Sequence, residues 1–485
     1  VIPTVDALVA VLRRHHLLVT APAQDAAITA LATDSRDAVP GTVFLALPGT
    51  VTDGHRFVGA AAERGAVAAV VEHVVDAAVP QVVVSSSHRA AIVLAREWHG
   101  DPAARLTLAG VTGTNGKTTT TMLLRHLLDE GGTAAVIGTL GAYDGAGRPV
   151  ASSAGRLTTP GPLDLQATLA RLVERGTTHV AMETSSHSLD QGRLDGLTFA
   201  VAVFTNLTRD HLDYHLTMEH YRAAKLRLLD LLAPGAPVVV NRDDRAWDVI
   251  SRHPVLGFGR GPDAEVRAEG EVWRADGSSF LLAGRYGARE VTIPLAGEFN
   301  VSNALAAAAA ALALGVPLDR VAARLGEAPQ VPGRMERLAT TPCTVLRDYS
   351  HTPDALARAL GTLRPLTPGR LMVLFGCGGD RDRGKRPEMG RIAAEFADEI
   401  YLTTDNPRTE PADRIIADIE AGIPAGRYHR IPDREEAIAA ALDAAREGDT
   451  LLLAGKGHET YQLVAGEVLP FDEKVIVRRL TGQEA

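Results

Sequence analysis

The chain has 485 residues, a formal net charge of -9 and a hydrophobic share of 46%. That length predicts about three domains, each with enough apolar residues for its own core. The acidic balance excludes a general nucleic-acid binder, so an anionic substrate has to be met by local positive sites. Two cysteines, Cys343 and Cys377, form no disulfide framework; they read as packing thiols suited to a reducing cytosol. The opening Val1-Ile-Pro-Thr4 lacks the basic and apolar regions of a secretory signal. The longest apolar run, residues 304–316, is Ala-rich and too short to span a bilayer, so a packed helix is expected and no membrane insertion.

In the first third, Thr42-Val-Phe-Leu-Ala46, Val67-Ala-Ala-Val-Val71 and Gln81-Val-Val-Val-Ser85 read as buried strands. Asp34-Ser-Arg36 is either a turn with a local ion pair or, with His55, part of a pocket in which Ser35 and Arg36 meet an anion. The turn-rich Trp98-His-Gly-Asp-Pro102 marks a boundary near residue 104.

Next comes Gly110-Val-Thr-Gly-Thr-Asn-Gly-Lys-Thr-Thr119, with a predicted strand at 105–109 and a predicted helix at 120–128. Strand, glycine loop and helix together hold phosphates, because converging backbone N–H groups and the helix N-terminus favour an anion. Lys117 would reach the terminal phosphates and Thr118 would offer its hydroxyl to Mg²⁺. Five residues separate Gly110 from Gly116, with Gly113 between, one more than in the common phosphate loop. A Gly/Thr-rich turn with a solvated lysine is the plainer alternative.

Strands predicted at 134–137, 178–182, 200–204 and 237–240 run into the polar ends Gly138-Thr139, Glu183, Thr205-Asn206 and Asn241. Strands alternating with helices predict a mostly parallel sheet with its ligands beyond the carboxyl ends. Glu183 is then a candidate Mg²⁺ ligand or a surface carboxylate. Asp210-His-Leu-Asp-Tyr-His215 lacks zinc spacing; one of its histidines could contact phosphate or Mg²⁺-bound water, or both are loop histidines. Helical spacing puts Met218, Tyr221, Leu228, Leu229 and Leu232 on one face, with Lys225 in its middle. Lys225 either snorkels along that face or is a buried amine able to take up CO₂ as a carbamate. Asn300 and Asn303 share a face towards a base or ribose, or cap the helix. Arg334 follows a rigid Pro-Gly turn at the next boundary.

The last third repeats the alternation. Strands predicted at 343–347, 371–375, 399–403 and 450–454 lead into loops carrying Asp348, Arg381, Asp405-Asn-Pro-Arg408 and Gly455-Lys-Gly-His-Glu459. If those strands are parallel, carboxylates, amides and arginines line one cleft suited to a zwitterionic amino acid. The basic run 381–386 is diluted by Asp380 and Asp382 and gives no nucleic-acid site.

Taken together, the motifs at 110–119, 158–160, 183–193, 205–213, 221–225, 348–356, 376–387, 405–408 and 455–459 make the chain resemble the Mur ligase family over its whole length. It is most similar to the members that add the third peptide residue. The resemblance implies an α/β protein of three domains. These are a smaller N-terminal α/β domain for the UDP-sugar (1–104), a central P-loop domain with a parallel or mixed sheet for ATP (105–333), and a C-terminal Rossmann-like domain for the amino acid (334–485). It implies a monomeric cytoplasmic ligase of peptidoglycan precursor synthesis. Using ATP and Mg²⁺, it would join meso-diaminopimelate to UDP-N-acetylmuramoyl-L-Ala-D-Glu through an acyl phosphate.

The implied roles fall on matching positions. Ser35 and the Asp53-Gly-His55 turn would lie at the UDP group, and Thr158, Thr159, Ser185, Gln191 and Arg193 at the muramoyl-dipeptide. Gly113, Thr114, Asn115, Gly116, Lys117, Thr118 and Thr119 would bind ATP, with Asn303, Arg334 and Asp348 on the nucleotide. Lys117, Glu183, His211 and Lys225 would be catalytic, with Thr118, Glu183 and the Lys225 carbamate on the metal. Arg381, Asp405, Asn406, Arg408, Gly455 and Glu459 would hold the amino acid. Arg408 suits diaminopimelate, whose distal carboxylate wants a bidentate guanidinium. Two positions depart from the family pattern: Thr184 replaces a usual Val, and Leu216 stands where Gly is usual. The alternatives are the same ligation with L-lysine, a folylpolyglutamate synthase-like ligase, and, outside the ligases, a P-loop switch NTPase.

Overall fold

The computed structural model describes residues 2–22, 24–49, 52–150 and 157–483. The chain divides into two compact units, residues 1–258 with 306–316, and residues 259–305 with 317–485.

In the first unit, short apolar runs pair into a five-stranded sheet. Its order is Leu18–Thr20, Gln81–Val84, Ala66–Val71, Thr42–Leu45, Ala30–Ala32. All neighbours are parallel except the antiparallel edge strand Leu18–Thr20. Because side chains alternate across a strand, both faces of Thr42–Leu45 are buried. Val43 and Leu45 pack with helices Val5–Arg14 and Ser87–Trp98, while Phe44 packs against Val58–Glu63.

The same unit holds the strands Val255–Gly259, Val238–Asn241, Val201–Phe204, Thr107–Thr112, His179–Glu183, Ala134–Gly138 and Gly141–Tyr143, neighbours in that order. The pairings are parallel until the final hairpin. Val111 sits opposite Glu183, and Thr112 opposite Phe204. That register brings the ends predicted to carry ligands to one edge. Their cores join Leu165, Leu169 and Leu172 of helix Pro162–Glu174 to Met182, Phe204 and Leu228.

The second unit opens with an antiparallel meander, Val266–Arg274, Gly277–Gly284 and Gly287–Ile293. The Ala-rich run is helical as predicted up to Ala313, in the helix Glu298–Ala313, whose residues from 306 on belong to the first unit. A six-stranded sheet follows, ordered Glu336–Ala339, Thr344–Asp348, Thr450–Ala454, Leu371–Phe375, Glu399–Leu402, His429–Arg430. The four strands foreseen here are mutually parallel. Val373 and Phe375 face helices Pro353–Leu363, Lys385–Phe396 and Ala412–Glu420, whereas Met372 and Leu374 face Arg434–Ala444 and Glu473–Leu480. At the amino ends of these strands, Asp449 accepts the Arg370 N–H and the Arg370 guanidinium, which also reaches Glu399.

Several sequence expectations shift. The loop strand begins at Thr107, since residues 102–105 form a 3₁₀ turn. The loop helix begins at Lys117 rather than 120, putting Lys117, Thr118 and Thr119 in its first turn. The lysine helix is Met218–Leu226 and tightens into a 3₁₀ turn over Arg227–Leu231. Its buried face is therefore Tyr221, Ala224, Lys225 and Leu228, with Met218, Leu229 and Leu232 half-buried. The meander was not foreseen, because its outward face is polar and its apolar alternation weak. Among the described residues, no helix is long and apolar enough to cross a membrane. Both cysteines are free and buried, and burial raises their thiols to about 11 for Cys343 and about 12 for Cys377.

Candidate active site

Strand Thr107–Thr112 ends in a loop that two glycines make possible. Gly113 stands at φ 146, where an added Cβ would lie 1.9 Å from Thr205 Oγ1. Gly116 stands at φ 84, leading directly into the helix. The loop is pinned from residues 205–208. Thr114 N donates to Asn206 O at 2.7 Å and Asn115 N to Asn206 Oδ1 at 2.9 Å. Thr205 Oγ1 donates to Asn115 O at 2.7 Å, and Thr114 Oγ1 both donates to Thr208 O and accepts from Thr208 N.

Two lysines meet at one carbonyl. Lys117 Nζ donates to Gly113 O at 3.0 Å and Thr114 O at 2.9 Å. Lys225 Nζ donates to the same Gly113 O at 2.7 Å, has no exposure, and sits 4.4 Å from the Tyr221 ring centroid. The Tyr221 hydroxyl reaches Thr114 Oγ1 at 3.3 Å. Desolvation first, and the Lys117 charge second, lower the Lys225 pKa well below that of an ordinary lysine. Two ammonium charges within about 6 Å of each other repel by about 3 kcal/mol at an effective dielectric of about 20, and burying one adds several kcal/mol more. Both effects act against the charged form of the buried lysine.

Glu183, 1% exposed, is held by Thr139: its Oε1 accepts the N–H at 2.9 Å and its Oε2 the hydroxyl at 3.0 Å. It is an interior carboxylate, not a surface one. The predicted dipeptide set forms one connected network. Thr159 Oγ1 donates to Glu183 O at 2.9 Å and lies 3.4 Å from Ser185 Oγ. Thr158 meets Thr139 at 3.3 Å, Arg193 donates to Thr159 O at 3.3 Å, and Gln191 binds both Arg193 and Tyr214.

His211 is exposed at φ 52, 3.6 Å from Asp210, and its ring meets that of His187 edge-on at 4.9 Å. His215 is buried against Ser186 at 3.0 Å. Burial lowers the pKa of His187 and His215, and partial desolvation of its ring does the same for His211, so all three favour the neutral form. Leu216, where the family usually has Gly, sits at φ 66, ψ -45, with Thr217 N bonded to His215 O at 2.8 Å. That is a strained γ-turn.

In the N-terminal sheet region Arg36 forms a two-pronged, exposed ion pair with Asp34, which favours the local-turn reading over an anion pocket. The His55 ring is fully used: Nδ1 binds Asp53 at 2.7 Å and Nε2 accepts Glu72 N at 2.8 Å. Ser35, itself half-buried, opens a 3₁₀ turn whose other residues are exposed.

In the second unit, the polar loops stand at the carboxyl ends of the parallel strands. Asn406 Nδ2 donates to Glu459 Oε2 at 2.8 Å, and Gly455, at φ 109, passes close over Asp405. Arg408 donates to Gly379 O at 2.7 Å, and Arg381 lies exposed beside the same glycine loop. Below the loop, fully buried Arg386 grips Glu410 at 3.0 and 2.7 Å and reaches Asp418 and Gly378 O. The Arg386 guanidinium holds the Glu410 carboxyl down at about 2.

Arg334 lies 5.2 Å from the Tyr349 ring centroid, and Asp348 accepts Met335 N at 2.8 Å and the Ser350 hydroxyl. Burial raises the Asp348 pKa. Asn300 and Asn303 are buried and bonded to each other at 3.2 Å, while Asn300 also ties back to Ala296 O.

Sequence reasoning passed over Thr139, Tyr221, Arg386 and Lys456 as site-forming residues. Thr139 and Lys456 each follow a glycine at a strand end, which was the available signal. Among the described residues no three His, Cys, Asp or Glu side chains converge as a metal cluster. Thr118 and Glu183 offer a hydroxyl and a carboxylate, hard oxygen donors of the kind Mg²⁺ takes.

With this geometry in place, three family models match: "Mur ligase family, catalytic domain" over 27–98, "Mur ligase middle domain" over 111–311, and "Mur ligase, glutamate ligase domain" over 333–457. The chain belongs to the Mur ligase family. A relative from Geobacillus kaustophilus, named UDP-N-acetylmuramoyl-L-alanyl-D-glutamate--2,6-diaminopimelate ligase, is 44% identical across 93% of this chain and 94% of its own. A relative of the same name from Gloeobacter violaceus is 43% identical over 96% of both. A solved structure bearing that enzyme's name superposes with TM-score 0.67 at 35% identity, covering 94% of this chain and 95% of its own. A MurF structure from Acinetobacter baumannii, 22% identical, shares the fold with TM-score 0.63 over 95% and 94%.

Three outcomes follow from this geometry. Gly113→Ala should abolish nucleotide-dependent turnover in a chain that still folds, checked by phosphate release alongside circular dichroism. Leu216→Gly should stabilise the protein by about 1 kcal/mol, by relieving an exposed strained residue, read as a higher urea midpoint. Ionised Glu410 contributes stability fully above its unfolded pKa near 4.5 and loses it as pH falls towards 2. Glu410→Gln should therefore lower the melting temperature at pH 7, with a gap to the parent that closes between pH 4.5 and 2.

Proposed function

We propose that the chain is an ATP-dependent ligase that joins meso-diaminopimelate to the D-Glu side-chain carboxylate of UDP-N-acetylmuramoyl-L-Ala-D-Glu. The observation that carries the reading is the single carbonyl, Gly113 O, shared by a half-exposed Lys117 and a fully buried Lys225. A switch NTPase needs the first lysine and has no use for the second. The relatives' names supply the substrates, and Arg408 fits a ligand with a distal carboxylate.

In this reading residues 1–104 hold the UDP group, 105–333 the ATP and the acid, and 334–485 the amino acid, in a monomeric cytosolic enzyme. The Thr158, Thr159, Ser185, Gln191 and Arg193 network orients the dipeptide carboxylate. Lys117 and the loop N–H groups neutralise charge as that carboxylate takes the γ-phosphoryl group to give an acyl phosphate. Lys225 Nζ adds CO₂, forming an N–C bond and releasing one proton, and so becomes an anionic oxygen donor. Thr118, Glu183 and that carbamate would hold Mg²⁺, which supplies further neutralisation of phosphate charge. Asp405, Asn406 and Glu459 receive the ammonium of the amino acid, and Arg408 its far carboxylate. The other amine of the ligand, after giving its proton to solvent, attacks the acyl carbon; the C–N bond forms, the C–O bond to phosphate breaks, phosphate leaves, and the nitrogen sheds its second proton to give the amide. Chemistry requires the acyl phosphate and the amine to meet, so domain closure is part of each turnover.

With ATP, Mg²⁺ and the UDP-muramoyl dipeptide present, phosphate release should be stimulated by meso-diaminopimelate and not by L-lysine. Stimulation by neither defeats the ligase reading, and preference for lysine defeats the role of Arg408. Arg408→Lys should raise the KM for diaminopimelate about tenfold or more, since one ammonium replaces a two-pronged donor. Lys225→Ala should lose most turnover and regain part of it with added acetate; unchanged activity rules out the carbamate.

A further inference from the structure

Behind the candidate amino-acid cleft lies a buried ammonium that the reaction above does not use. Lys456 follows strand Thr450–Ala454, between Gly455 and Gly457, and has no solvent exposure. Its Nζ donates to Asn406 Oδ1 at 3.2 Å and Asp405 Oδ1 at 3.5 Å, and lies 3.6 Å from Glu459 Oε2. Asn406 Oδ1 also accepts Leu463 N at 3.0 Å. Two donors on the amide oxygen decide which way the amide points. Its NH₂ is turned to the other side, where Nδ2 donates to Glu459 Oε2 at 2.8 Å. Both contacts to Glu459 fall on Oε2, which leaves Oε1 for a ligand ammonium.

The mounting is rigid. Arg434 and Glu473, both fully buried, pair at 2.8 Å. Arg434 also donates to Ala454 O at 2.9 Å and Thr404 O at 3.3 Å. Those carbonyls mark where the chain turns towards Lys456 and towards Asp405. The lysine charge offsets two carboxylates, and without it Asp405 and Glu459 would stand partly desolvated and uncompensated.

We propose that Lys456 is a positioning residue for amino-acid recognition: it fixes the Asn406 amide and the Asp405 and Glu459 carboxylates in the arrangement that receives the incoming ammonium group. The inference rests on the ligase reading and adds to it a determinant of affinity for the amino acid alone.

The test uses the full chain, with initial rates of phosphate release for the parent, Lys456→Met, Lys456→Gln and Lys456→Arg. Lys456→Met should raise the KM for meso-diaminopimelate about tenfold or more, with the KM values for ATP and the UDP-muramoyl dipeptide within about twofold. Lys456→Gln, which keeps a donor without the charge, should fall between it and the parent, and Lys456→Arg should recover part of the loss. A folded Met variant with an unchanged diaminopimelate KM overturns the proposal. So does a parallel rise in all three KM values, the mark of general loosening. If the Met variant does not fold, the Gln and Arg variants decide by the same ratio. A parent enzyme that shows no amino-acid-stimulated release instead removes the ligase reading itself.

Discussion

A backbone oxygen with two amines on it is the constraint from which the glycine-loop site of the first unit follows. Gly113 must lack a side chain for Thr205 to come so close, and only then can residues 205–208 pin the loop. The pinned loop presents the carbonyl to Lys117 and Lys225 together. Electrostatics then settles the protonation: repulsion and desolvation act on Lys225 in the same direction, whereas one hydrogen bond returns only about 1 kcal/mol. Chain geometry alone thus biases this amine away from its charged form.

The second unit solves a different problem on a similar plan. Parallel strands again deliver polar loops to one rim, but here charge is retained rather than suppressed. Arg386 with Glu410, and Arg434 with Glu473, are buried pairs whose Coulomb gain is largely cancelled by desolvation. Their value lies in direction. Each arginine also reaches backbone carbonyls, Gly378 in one case, Thr404 and Ala454 in the other, and so sets where a binding loop leaves the sheet.

Much of this was legible in sequence because strand ends announce themselves. Apolar runs of four or five residues that break into Gly, Asp or Asn gave the strands at 371–375 and 450–454 to the residue. The phosphate loop and the odd position of Lys225 were visible for the same reason. Helix starts were less visible: Lys117-Thr-Thr119 looks like loop, yet a positive-φ glycine just before it lets the first turn begin there. The Asp34–Arg36 alternatives could not be separated without knowing that the guanidinium folds back onto its neighbour. The loop carrying Lys456 was legible from its glycines, but nothing local tells whether that lysine lies beneath the loop or on its surface. Only the pairing of distant strands puts it against Asp405 and Asn406.

The knot of Arg370, Asp449 and Glu399 occupies the rim of the second sheet opposite the binding loops. It fastens strand beginnings and carries no recognition duty. Substitutions at that end act on how the strands are held together, whereas substitutions at the other end act on the loops proposed to meet the ligand. One fold thus keeps separate quarters for mechanical tethering and for molecular choice.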